Sequence, residues 1–166
     1  MSTLANVDDF MGTGRLGEIG IGSTPDDVVR CIGEPDNISV VRVPAAIWLF
    51  GAPFGDVQIH CTRAAVEMIV VRLGATQVST HAPKIRFEGW LPPVDLAFEA
   101  FTEHLDLIGL IWQVDPLLTW TSQKTVSICA STVSAVFVDD QLQMLGLAGP
   151  LFQPAPGPKQ RKRAGS

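Results

Sequence analysis

The spacing of apolar and polar positions changes several times along the chain, and each change marks an element. Residues 3–12 place Leu4, Val7, Phe10 and Met11 on one side of a helical wheel, which predicts a short helix. Gly12, Gly14 and Gly17 loosen the chain, and Glu18 to Ile21 has room for a brief strand. Residues 24–32 predict a second, well-delimited helix. Ser23 or Thr24 can cap it, Pro25 suits its first position, and Asp26 and Asp27 sit at the positive end of its dipole. Gly33 and Pro35 close it. From Ile38 onward β-branched residues dominate. Segments 38–43, 47–50, 56–61 and 66–73 predict four strands of an antiparallel meander. In 56–61 the period is two, with Val57, Ile59 and Cys61 on one face and Gln58 and His60 on the other.

The pattern then restarts. Residues 74–92 read as a connector punctuated by Gly74, Pro83, Gly89 and Pro92, with Ile85, Phe87, Trp90 and Leu91 tacking it to the body. Val94 to Leu105 carries Leu96, Phe98, Phe101 and Leu105 along one stripe and predicts a helix. Segments 108–114, 117–121, 125–129, 133–138 and 141–147 predict strands, with a tight turn at Asp139 and Asp140. Both halves run from helix to strands and end in a hairpin. The expected fold is therefore α+β: two tandem units of helices packed on an antiparallel β-meander. The units span 1–74 and 93–149, joined by the connector 75–92. Residues 150–166, rich in Pro, Gly, Lys and Arg without apolar period, are expected to be a disordered basic tail.

Composition narrows the class. A chain of 166 residues, 46% hydrophobic and 17% charged, has the apolar content for a core. No apolar run reaches the roughly 18 residues of a membrane span. The first ten residues carry Asp8 and Asp9 and no basic residue, unlike a secretory signal, so a cytoplasmic protein is expected. Cys31, Cys61 and Cys129 are odd in number and far apart, so buried thiols are expected, with Cys31–Cys61 the one bridge to check. The net charge of -5 hides an asymmetry: residues 1–158 hold 8 basic and 17 acidic side chains, and the tail holds the rest of the basic ones. An acidic body argues against nucleic acid as the main partner. It suits a basic protein partner, and it also serves simply to keep an apolar protein soluble.

Catalytic patterns are weak. His60 and Cys61 are neighbours on a strand and point to opposite faces, so they make no catalytic pair. Sequence places no constraint on Cys61 with His81 or His104. No close Cys/His pairs with zinc spacing occur. The glycine spacing at 12, 14 and 17 follows a helical pattern and opens no helix, so it is not a dinucleotide fingerprint. No catalytic residue, metal or cofactor is expected. Binding remains. By parity Trp48 and Phe50 share a face, while Gln58 and His60 point away from the Val57 face, and Trp112 and Trp120 fall on strands of the second half. Exposed tryptophans make good binding anchors, and the same side chains can instead complete a core. Trp48, Phe50, Gln58, His60, Trp112 and Trp120 are the candidate partner-binding residues.

The stretch from Gly20 to Pro35, followed by Trp48-Leu49-Phe50-Gly51 and the alternating 56–61 strand, resembles the helix-plus-meander unit of SmpA/OmlA-type lipoproteins. Two such units in one chain resemble the β-lactamase inhibitory proteins, and the pattern is also similar to immunity partners of bacterial toxins. The resemblance implies a non-enzymatic protein-binding module of the inhibitor or immunity type. Such a module would neutralise a partner, basic if the charge is a guide, through an acidic sheet face studded with aromatics. Two other classes stay open. One is a small-molecule-binding or enzymatic domain with His60, His104 or Cys61 converging on a pocket between sheet and helices. The other is a structural subunit of a larger complex, marked by a wide exposed apolar patch.

Overall fold

The second predicted helix forms between the residues chosen to cap it. Helix α2 spans Pro25–Cys31. The Thr24 hydroxyl accepts a hydrogen bond from the Asp27 amide (3.1 Å), and the Asp27 carboxylate accepts one from the Thr24 amide (2.9 Å). This reciprocal box satisfies two donors that the first turn leaves orphaned. The Thr24 amide, and then its hydroxyl, hold the Asp27 carboxyl below the usual carboxylate range. Val28 and Ile32 bury the inward face, and Gly33 turns out of the helix at φ +103°. Thr24→Ala is expected to cost about 1 kcal/mol of stability. A urea midpoint equal to that of the wild type would contradict this.

The computed structural model describes residues 3–42, 45–52, 55–73 and 84–149. The tail 150–166 and His81 lie outside the described residues, as does the first half of the connector, 75–83. The N-terminal helix is shorter than its pattern predicts. Strand β1 (Thr3–Asn6) comes first, and helix α1 (Val7–Thr13) follows. Asn6 sets the boundary, its side-chain oxygen accepting from the Asp9 amide at 3.2 Å. Val7, Phe10 and Met11 are buried, but Leu4 is exposed. The predicted strand at 18–21 reduces to a single bridge between Leu16 and Ile19.

Strands β2 (Asn37–Arg42), β3 (Ala45–Ala52), β4 (Gly55–Cys61) and β5 (Val66–Leu73) form the first meander, as their spacing predicts. The connector then supplies strand β6 (Ile85–Glu88), which pairs with β1 in parallel, Thr3 opposite Ile85. Local periodicity cannot reveal such a distant pairing. Helix α3 (Phe98–Leu107) begins four residues later than Val94. Leu96 instead accepts a hydrogen bond from the Leu142 amide (2.9 Å), and the Phe98 amide donates to Asp140 (3.2 Å).

Strand β7 is short (Trp112–Val114), and the expected strand at 117–121 is not formed. Pro116 opens a 3₁₀ turn over Pro116–Leu118, and the Asp115 carboxylate caps it through the Leu117 amide at 2.9 Å. Strands β8 (Gln123–Ile128), β9 (Ser134–Val138) and β10 (Gln141–Ala148) complete the molecule. Asp139 and Asp140 join the last two with φ of 49° and 62°. Both central residues are left-handed, as a two-residue hairpin turn of type I′ requires.

Eight strands form one antiparallel sheet in the order β2-β3-β4-β5-β10-β9-β8-β7. The fold is thus α+β. The core lies on one face of this sheet. Phe50, Val57, Ile59, Ile69, Val71, Ala135, Phe137, Val126 and Leu145 face Phe10, Met11, Val28, Phe101 and Leu105 of the three helices. No described helix is long and apolar enough to cross a membrane.

Candidate functional site: the open face of the sheet

Because side chains alternate along a strand, the register that fixes the core face also fixes the opposite one. The pairs Leu49–Gln58, Gln58–Val70, His60–Met68, Gly146–Val70, Met144–Val136, Thr125–Val136 and Ser127–Ser134 lie opposite one another on that second face. None of the three helices buries a residue there. Val70 is almost fully buried yet stands apart from the core cluster, shaded by its neighbours on the open face. Between β5 and β8 the face dips into a trough of about 630 Å³, floored by Met68, Val70, Val136 and Met144 and edged by Ser127 and Ser134. The 3₁₀ turn closes one end. The Leu118 carbonyl accepts from the Thr125 hydroxyl (2.8 Å) and the Gln123 side-chain amide (3.2 Å).

This face differs from the acidic, aromatic one expected. Its described strand residues include no Trp or Phe, and two of its charged side chains, Asp56 and Arg72, stand opposite each other across β4 and β5. The carboxylates of Asp8, Asp9, Asp26, Asp27, Glu99, Glu103 and Asp106 belong to the helices. Two atoms on the open face are unusual. His60 Nε2 and Asp56 Oδ1 are shielded from solvent and have no hydrogen-bond partner among the described residues. Buried polar atoms left so carry a desolvation cost, which marks this corner of the face as unusual.

Burial also holds the His60 imidazole below the usual histidine range. As pH falls, the unfolded chain binds its proton near pH 6.5 and the folded chain only at lower pH. Stability is therefore expected to be full above that pH and to fall below it. His60→Gln is expected to remove this part of the pH dependence. Urea titrations of both proteins check it, and identical slopes on the acid side would contradict it.

The candidate residues scatter. Gln58 and His60 lie on the open face, as their parity predicts. Trp48 and Phe50 do share a face, but it is the helix-covered one: Phe50 is 0% exposed and Trp48 packs against the core. Parity relates positions to each other; only the helices decide which set is covered. Trp112 sits on the edge strand β7, half-buried on the covered side, its indole N–H donating to Asp106 at 2.9 Å and its ring edge-on to Phe98. Trp120 is 57% exposed in the loop after the 3₁₀ turn rather than on a strand.

Nor do His60, His104 and Cys61 converge. His104 Nε2 meets Asp8 Oδ1 at 2.7 Å, tying α3 to α1 beneath a stacked Trp90 (3.7 Å between ring centres). Cys61 is a buried thiol on the core face, and burial pushes its pKa up to about 11. It is unbridged, so the Cys31–Cys61 disulfide is not made, and Cys31 donates to Glu18 at 3.4 Å. Cys129 is exposed, unlike the buried thiol expected. Among the described residues no group of three His, Cys, Asp or Glu could hold a metal ion.

Sequence reasoning missed Met68, Val70, Val136, Met144, Ser127 and Ser134. A signal was available for Val136, Ser127 and Ser134, which alternate with the buried positions of their strands; register shifts beside Met68 and Met144 and the apolar run around Val70 hid the other three. Comparison of the chain with protein-family models, with curated proteins and with solved structures finds no match to any of them.

Proposed function

We propose that the protein is a non-enzymatic binding module of the inhibitor or immunity type, which holds a protein partner against the open face of its sheet. One observation carries this reading: among the described residues, helices cover the eight-stranded sheet on one face only, and the other face holds a broad apolar trough edged by hydroxyls. Apolar surface of this kind gains free energy when a partner removes it from water. The strand order is also what two helix-plus-meander units, joined side by side at β5 and β10, would produce. That supports the resemblance to the β-lactamase inhibitory proteins and to tandem SmpA/OmlA-like units.

The contact chemistry of the partner follows from the face: apolar, with hydrogen-bonding groups at its rim. A basic partner would find its carboxylates on the helix side, so charge would act on the approach rather than at the contact. The test is capture from a lysate of the native host at low and high salt, with the tail 159–166 removed. The sheet-face reading predicts one stoichiometric protein that stays bound at high salt. Loss at high salt would move the contact to the acidic helices, and no partner at either salt would overturn the reading.

A further inference from the structure

We propose that the β7 edge of the sheet is a self-association surface, where two copies of the chain pair edge to edge about a two-fold axis through Gln113. This surface adjoins the open face, since Gln113, Asp115 and Leu118 line the far end of the trough. The stretch 107–120 holds five of the large apolar side chains that stand exposed: Leu107 (83%), Ile111 (74%), Val114, Leu117 (74%) and Trp120. Summed over the five residues, the exposed area is on the order of 600 Å². A stable interface needs roughly 800 Å² per partner, so these side chains supply most of one.

The backbone is arranged for the same contact. The Cys129 amide donates to the Ile111 carbonyl (2.9 Å), and the Asp115 amide donates to the Thr125 carbonyl (2.8 Å). The odd-numbered peptide groups of this segment therefore face β8. By antiparallel alternation, those of Trp112 and Val114 face outward, along an edge that pairs with no other strand among the described residues. A second copy laid antiparallel over this edge matches Trp112 with Val114 and Val114 with Trp112. The pairing is its own mirror in register, as an isologous two-fold contact demands. Three residues make too short a ladder to hold a dimer by hydrogen bonds alone, so the flanking side chains must contribute most of the affinity.

Charge selects a second copy over an acidic or basic partner. The body carries a net -9 over residues 1–158, yet residues 107–120 contain one charged side chain, Asp115, which caps the 3₁₀ turn. Two acidic molecules can meet here with little repulsion, and each brings the apolar counterpart the other needs.

The test is sedimentation velocity of the full chain over a range of concentrations. A concentration-dependent dimer is expected. Ile111→Lys and Leu117→Lys are each expected to weaken it at least tenfold, with unchanged circular dichroism. Val114→Pro removes an outward-facing N–H without touching the ladder to β8, and is expected to weaken it likewise. Ile38→Lys, at the opposite edge of the sheet on β2, is expected to leave it intact. A monomer at every concentration would overturn the proposal. So would a dimer that survives the two lysine variants, or one that survives Val114→Pro, which would exclude strand pairing as the contact.

Discussion

Replacing Phe50 by alanine is expected to destabilise the protein by about 3–5 kcal/mol, the cost of emptying a large buried aromatic site. In a domain of this size that corresponds to a fall in Tm on the order of 10 °C. The reason is placement. Phe50 lies opposite Val57 on the covered face of β3 and β4, is fully buried, and belongs to the cluster that the helices close. The sequence alone made this residue a candidate for partner contact, so the variant separates the two roles. Differential scanning calorimetry reads the first. A stable Phe50→Ala protein that fails to bind its partner would contradict the burial assigned here.

Val136→Arg is expected to do the reverse. Val136 is half-buried at the centre of β9, with Thr125 and Met144 as its cross-strand neighbours on the open face. Arginine there puts a charge and a long side chain into the trough. Loss of partner affinity of at least roughly 30-fold is expected, in line with a central contact worth about 2 kcal/mol. The stability should change little, because the new side chain can run along the face to solvent. Titration calorimetry with the captured partner reads the first quantity and thermal melting the second. Unchanged affinity would remove the trough from the contact.

Much of the fold was legible because its signals are local. The cap residues of α2, the period-two run from Val57 to Cys61, and the Asp139–Asp140 turn each act within a few residues of themselves. What failed was non-local. The pairing of β1 with β6 spans most of the first half of the chain, and nothing in residues 3–6 announces it. The 3₁₀ turn at Pro116 was hidden by an apolar run that reads equally well as a strand. Pro116, with Asp115 to cap it, is the feature that decides otherwise.

The open face shows the same limit. Gln58 and His60 were found because their strand alternates strictly. Val70 was hidden, because β5 is apolar on both faces: Ile69 and Val71 serve the core and Val70 serves the trough. Tryptophans drew attention by type, and burial then assigned Trp48 to the core side and Trp112 to a hydrogen bond with Asp106.

The most direct test of the open face as the docking surface is oxidative footprinting of the methionines in the captured complex. Met68 and Met144 stand on that face, half-buried, whereas Met11 is fully buried in the core. Partner docking on the trough predicts that Met68 and Met144 oxidise in the free protein and are protected together in the complex, with Met11 inert in both. Met68 and Met144 oxidising at the same rate in complex and free protein would contradict the account.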